Sequence, residues 1–267
     1  MRRIKRYKEL FEAQTELTND QTEWLDKCTR GKWTINRQTG LVDVSGDFDC
    51  SGQRLTDFKG VRFGNVSGVF DCSNNELTSL EGSPQEVKGN FDCSYNKLTS
   101  LVGAPQQVEG DFECSGNKLT SLKGAPQKVG VNFKCRGNEL TSLEGAPQKV
   151  EGNFSCHHNE LTSLKDAPQE VVGYFDCSVN KLTSLEGAPQ KVGWRFDCYG
   201  NYVSESVLKS LYKKMQSGMS WPDAVANHWR YIKSEKDKIL LAPYHPDPSS
   251  EELKGYQALA RLKRRSI

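Results

Sequence analysis

The sequence predicts an α/β solenoid, with a parallel sheet of about eight strands capped by helices at both ends. Three observations carry this expectation. Eight of the nine cysteines, Cys50, Cys72, Cys93, Cys114, Cys135, Cys156, Cys177 and Cys198, are separated by one gap of 22 residues and six of 21, and a period that strict marks a repeat array. A Phe stands two residues before each of them, from Phe48 to Phe196, and an amide stands three residues after each, Gln53 first and then Asn75 through Asn201. The residues on either side of the array lack the period and carry apolar residues at helical spacing.

Within one unit the spacing dictates direction. Phe-x-Cys has a period of two, so both side chains leave a short strand on the same face. The Asn is expected to turn the chain by bonding backbone groups that the strand leaves unpaired. Leucines at the fifth and eighth positions after Cys, such as Leu98 and Leu101, fold back inward. A Gly-Ala-Pro-Gln segment and a Val such as Val108, Val129 or Val150 close the unit, and the Pro predicts an extended or irregular return. Stacking then yields ladders of Phe, Cys, Asn and Leu inside one sheet.

The solenoid spans 46–203, between an N-terminal cap over 1–45 and a C-terminal cap with a basic tail over 204–267. Solenoid ends expose an apolar cross-section that terminal elements must cover. Helices are expected over 4–17 and 19–28, then two strands, 33–35 and 41–44, around a turn at 36–40. After the array, Ser204 is placed to cap a helix over 205–216, Ser220 one reaching about residue 232, and Ser234 one ending at Leu241. Ser249 and Glu252 have the spacing of a capping box for a last helix to about Arg264.

Composition narrows the class. No stretch approaches the ~20 consecutive apolar residues of a membrane span, and glutamates interrupt the basic N-terminus where a secretory signal would be apolar. The expectation is a chain that is not secreted and acts in a cytoplasm or within a virion. The ladder thiols read as small core hydrophobes, since a line of cysteines is not the tetrahedral cluster zinc requires. Cys28, outside the ladder, reads as an ordinary helical residue. Net charge is −5 over 46–203, +2 over 1–45 and +5 over 204–267. The basic clusters at the two ends could touch nucleic acid, but solvated termini or self-association are the simpler expectations.

The unit Phe-x-Cys-x-x-Asn-x-Leu-Thr-Ser-Leu resembles the leucine-rich repeat, with Phe at a Leu position and Cys in the strand. Its short length and Pro-bearing return are similar to repeats in the recognition domain of bacterial effector ubiquitin ligases. The Leu-Thr-Ser-Leu-Glu-Gly-Ala-Pro wording resembles repeat proteins of large tailed bacteriophages. The resemblance covers about residues 44–203 and implies a horseshoe whose concave sheet binds a partner. The sequence departs from the ligases in having no Cys after Cys198 and only 64 residues after Val203.

Positions the repeat leaves free are the candidate site. The positions one and three before Cys and one after it are expected to face outward. The first of these reads Asp49, Asp71, Asp92, Glu113, Lys134, Ser155, Asp176 and Asp197. Like charges on adjacent rungs repel by roughly 1 kcal/mol per pair at water-like dielectric, so the acidic column reads either as inherited repeat identity or as a surface for a basic partner. The column breaks where Lys134, Arg136 and His157 replace Asp and Ser, with His158 adjacent and Tyr174, Trp194, Arg195 and Tyr199 following. Arg and aromatic residues dominate interface energies. His157 and His158 are candidate metal ligands only weakly, since strand neighbours point apart. No phosphate loop, nucleophile elbow or two-histidine zinc motif is present. The sequence therefore predicts a non-catalytic protein-binding module without cofactor, which the resemblance implies is phage-encoded and acts on a host or phage protein. The alternative is a structural or accessory component of a phage particle.

Overall fold

A computed structural model describes residues 17–246 and 251–263. The repeats coil as a solenoid of parallel strands. The register is set by Phe-x-Cys: β2 (Val42–Asp49), β4 (Phe70–Asp71), β6 (Phe91–Asp92), β8 (Phe112–Glu113), β10 (Phe133–Lys134), β12 (Phe154–Ser155), β14 (Phe175–Asp176) and β16 (Phe196–Asp197) pair in that order. Phe opposes Phe at every step. Successive Phe rings lie 5.1–5.6 Å apart, most of them near-parallel.

The return is not irregular as the Pro suggested. Its Val residues build a second parallel ladder: β3 (Phe63–Val66), β5 (Glu86–Val87), β7 (Gln107–Val108) and β9 (Lys128–Val129), then β11 (Lys149–Val150), β13 (Glu170–Val171) and β15 (Lys191–Val192). β2 is long enough to begin both ladders, pairing β3 near its start and β4 at its end. Proline constrains only its own φ and its neighbour, so the residues after Pro-Gln remain free to pair with the rung below. The chain corners between the ladders at a Gly. A Cβ at Gly89 would stand 2.7 Å from the Gly68 carbonyl, closer than atoms tolerate.

The Asn residues bind rung to rung. Asn96 Nδ2 donates to the carbonyls of Cys93 and Ser94 in its own turn and to that of Cys72 in the preceding one, while Oδ1 accepts from Leu77 N–H at 2.9 Å. Asn75, Asn117, Asn138, Asn159, Asn180 and Asn201 repeat the pattern.

Both ends join this core. β1 (Thr29–Ile35) pairs antiparallel with β2, a longer hairpin than the sequence suggested. Helix α1 (Asn19–Cys28) starts at a Thr18/Gln21 capping box. Its Trp24 ring packs 5.3 Å from Phe48 and donates Nε1–H to Gln53 Oε1 at 3.0 Å. The helix expected over 4–17 falls outside the described residues except for Leu17, which packs on the core.

After the array come α2 (Glu205–Gln216), α3 (Trp221–His228) with a 3-10 turn at Trp229–Tyr231, α4 (Glu235–Leu241) and α5 (Glu251–Lys263). Tyr212 of α2 stacks on Phe196 at 3.9 Å and closes the aromatic column. Ser220 and Ser234 cap their helices as expected. Ser204 does not cap: its hydroxyl and N–H both donate to the buried carboxylate of Asp237, tying α2 to α4. Ser249 lies outside the described residues. No helix among the described residues is long and apolar enough to cross a membrane.

All nine cysteines are free and buried, Cys28 included, whose Sγ accepts from Gln53 Nε2 at 3.2 Å. Burial holds the ladder thiols well above their ordinary pKa, with Cys198, nearest the end, pushed up to about 12 although Lys209 pulls it down. Since the thiolate is the reactive form, the native protein should take up no thiol probe at neutral pH over the time in which urea-unfolded protein takes up nine. Mass spectrometry counts the adducts, and rapid native labelling of any ladder cysteine would contradict the assignment.

Candidate interaction face

In-register pairing makes the position before Cys a true column. Asp49 faces Asp71, Asp71 faces Asp92, Asp92 faces Glu113, Glu113 faces Lys134, and Asp176 faces Asp197. The column is half-buried, however, not openly outward. Its carboxylates serve their own turns. Oδ1 of Asp49, Asp71, Asp92 and Asp176 accepts the N–H two residues on, from Ser51, Ser73, Ser94 and Ser178, at 2.8–3.1 Å. These are Asx turns. With or without an Asx turn, every rung then passes through a left-handed residue, including Asn74, Tyr95, His158 and Val179 at φ of 50–55°. The position after Cys, expected outside, is buried at Ser73, Ser94, Ser115 and Ser178. Repeat identity in the acidic column thus has a role in the fold of its own rung.

The position three before Cys carries a second ladder that the sequence reading missed. Oδ1 of Asn90, Asp111, Asn132 and Asn153 accepts the N–H of the equivalent residue one rung on, Asp111, Asn132, Asn153 and Tyr174, at 2.8–3.0 Å. The run of Asx residues at that position was the available signal.

Where the Asp-x-Ser pattern lapses, other groups take its place. Lys134 Nζ lies 3.0 Å from Asp111 and 3.3 Å from Glu113, and Arg136 reaches Glu113 at 4.0 Å. Burial pulls the Lys134 ammonium down, but the bond to Asp111 and the charges of Glu113 and Asp111 outweigh it and raise its pKa. One rung on, buried Ser155 Oγ sits 2.7 Å from His157 Nδ1, and Asp176 Oδ2 lies 3.2 Å from the same nitrogen. Hydroxyl and carboxylate meeting one ring nitrogen is not a proton relay, which needs them on opposite nitrogens. Burial lowers the His157 pKa more than Asp176 raises it, with His158 and Arg136 lowering it further.

His157 and His158 do not point apart as strand neighbours would. They lie in the turn, ring centroids 5.2 Å apart and edge to face. Among the described residues no three His, Cys, Asp or Glu side chains group to hold a metal ion.

The structure therefore brings Lys134, Arg136, His157 and His158 together on adjacent rungs, with Tyr174 half-buried on the next. Arg195, which donates to Asp197, and Tyr199 stand exposed on the last rung. Asp49, Asp71 and Asp92 belong to the first three rungs, away from that group. On the other ladder, an open groove of about 530 Å³ lined by Gln107, Lys128, Gln148 and Glu151 overlies the step where β9 and β11 do not pair.

Asp92 offers a test of the turn assignment. Burial raises its pKa, the bonds from Ser94 lower it, and Asp71 and Glu113 raise it again, leaving it net raised. A carboxylate raised on folding favours the folded state below its unfolded pKa of about 3.9, and that contribution is lost as pH rises through the folded value. Asp92→Asn keeps the Oδ1 acceptor for Ser94 and removes the charge. Urea unfolding should show the variant gaining stability relative to wild type between pH 4 and pH 7. A difference independent of pH would refute the assignment.

No protein-family model matches the chain, and a search of curated proteins returns no match.

Proposed function

We propose that this chain is a non-catalytic protein-binding module of the leucine-rich-repeat type, reading its partner with the face that carries Phe-x-Cys. The observation that carries this reading is the concentration of departures from the repeat: Lys134, Arg136, His157 and His158 replace turn-forming residues on adjoining rungs of one face. Arg136 is about half exposed at 47%, and His158 is exposed beside it. Strand spacing of ~4.8 Å puts these groups in one patch about 10–15 Å across. Interfaces concentrate their energy in few residues, Arg prominent among them. The intramolecular acids Asp111, Glu113 and Asp176 hold these groups in place, which lowers the entropy lost when a partner binds. The resemblance to phage repeat proteins supports a phage origin and a host or phage protein as partner, met in the host cytoplasm or on a particle.

A partner captured from host lysate supplies the assay. Arg136→Ser with His157→Ser should leave the urea midpoint near wild type and weaken binding by roughly thirtyfold, the ~2 kcal/mol of a central anchor. Asp71→Ser is no neutral control, because it removes an Asx turn. Unchanged affinity in the double variant, together with binding abolished by deletion of α5, would move the function to the C-terminal helices. Co-purification with particles alone would favour a structural role.

A further inference from the structure

The two ladders end differently. The Phe ladder is closed by Tyr212, stacked on Phe196. The Val ladder is not: Val66, Val87, Val108, Val129, Val150 and Val171 are 0–4% exposed, whereas Val192 on β15 is half-buried. From α2, Tyr212 and Gln216 bond to the Pro189 carbonyl at 3.2 Å, and the cover stops there. Gln190, Lys191, Gly193, Trp194 and Arg195 are all exposed, Trp194 at 81%.

The ladder's own pattern shows what this edge offers. On the rung below, the Gln169 carbonyl accepts from Gln190 N–H and Lys191 N–H, and the Val171 carbonyl accepts from Gly193 N–H at 2.9 Å. By the same repeat, Gln190 and Val192 carbonyls face the next position, and no donor among the described residues reaches them. Over the last three rungs the charges alternate, with Glu170 3.7 Å from Lys149 and 3.9 Å from Lys191, although Lys128 and Lys149 occupy the two successive rungs before Glu170. An acid at the next place would pair with Lys191. Unpaired strand edges are templates for another strand.

We propose that β15 is a docking edge for an extended acidic–apolar peptide of another protein. The peptide adds in parallel as a further rung. Its N–H groups bond the Gln190 and Val192 carbonyls, a Glu or Asp faces Lys191, and the following apolar side chain covers Val192 beside Trp194. A second copy of this chain fits poorly, because its edge strands β1 and β15 carry Arg30 and Lys32, and Lys191, and would set like charges against Lys191 and Arg195. This edge is separate from the Arg136/His157 group, so it stands or falls independently of the function proposed above.

The probe is the acetylated, amidated peptide Ala-Pro-Gln-Glu-Val-Val-Gly-Tyr, which copies the rung below β15; the control peptide replaces its Glu by Lys. The Glu peptide should shift backbone amide resonances at 190–195 of the full chain and bind more weakly at high salt. Lys191→Glu should exchange the preference, losing the Glu peptide and gaining the Lys peptide by about three- to tenfold, the scale of an exposed ion pair turned from attraction to repulsion. The Arg136→Ser, His157→Ser variant should bind the Glu peptide as wild type does. No saturable binding, shifts centred on the Phe-x-Cys face, or a preference unchanged by Lys191→Glu would overturn the proposal. So would dimerisation of the free chain through this edge, seen by sedimentation and abolished by Trp194→Ser.

Discussion

Everything in this solenoid hangs on the buried asparagine of each rung. Strands only two residues long supply too few hydrogen bonds to hold two turns together, and stacked apolar side chains lack direction. The Asn amide supplies both. It satisfies carbonyls in its own turn and the one before, and accepts an N–H that no strand would pair. Polar groups buried this deeply, 6–8% exposed, cost about 1–3 kcal/mol each if left unbonded, so the geometry is fixed wherever the Asn recurs. The left-handed residue before it follows from that turn. At the first rung the longer Gln53 replaces Asn and reaches out to Trp24 and Cys28, joining the N-terminal helix to the same network.

This constraint decides which side chains are free. Asp before Cys and Ser after it serve the turn, and Asn or Asp three before Cys serves the next rung. Surface chemistry varies on the rungs that dispense with the Asp-x-Ser turn. There Lys134 and Arg136 pair with Asp111 and Glu113, and Ser155 and His157 contact each other and Asp176. Departures from the repeat and candidate binding residues coincide for that reason.

The Phe, Cys, Asn and Leu ladders were legible in the sequence because each repeats its residue type at one spacing. The helices at 19–28 and 205–216 were legible from apolar periodicity and the hairpin from its turn, although Ser204 bonds Asp237 instead of capping. The Val ladder was not, since a strand of two residues has no internal period and the preceding Pro argued against pairing; only the in-register recurrence of Val with a following Gly marked it. The left-handed position was masked because Val179, Tyr95 and His158 occupy it alongside Gly52, Gly116 and Gly137. The local role of the acidic column escaped notice because Asp and Ser two apart signal a turn only once the strand is known to end at Cys. Trp194 was legible as an aromatic beyond the break in the column, but not its exposure of 81%, which depends on where α2 stops.

Native-state hydrogen exchange on Asn117→Ala tests the central claim most directly. Asn117 Oδ1 accepts from Leu98 N–H at 3.0 Å, and Nδ2 donates to the carbonyls of Cys93 and Cys114 at 3.0 and 3.1 Å. Losing them strands several buried groups, so protection should fall by about 3 kcal/mol at Leu98 and at amides of the rungs on both sides, and much less at distant rungs. Protection unchanged at Leu98, or lost equally along the whole array, would contradict a solenoid held rung to rung by its asparagines.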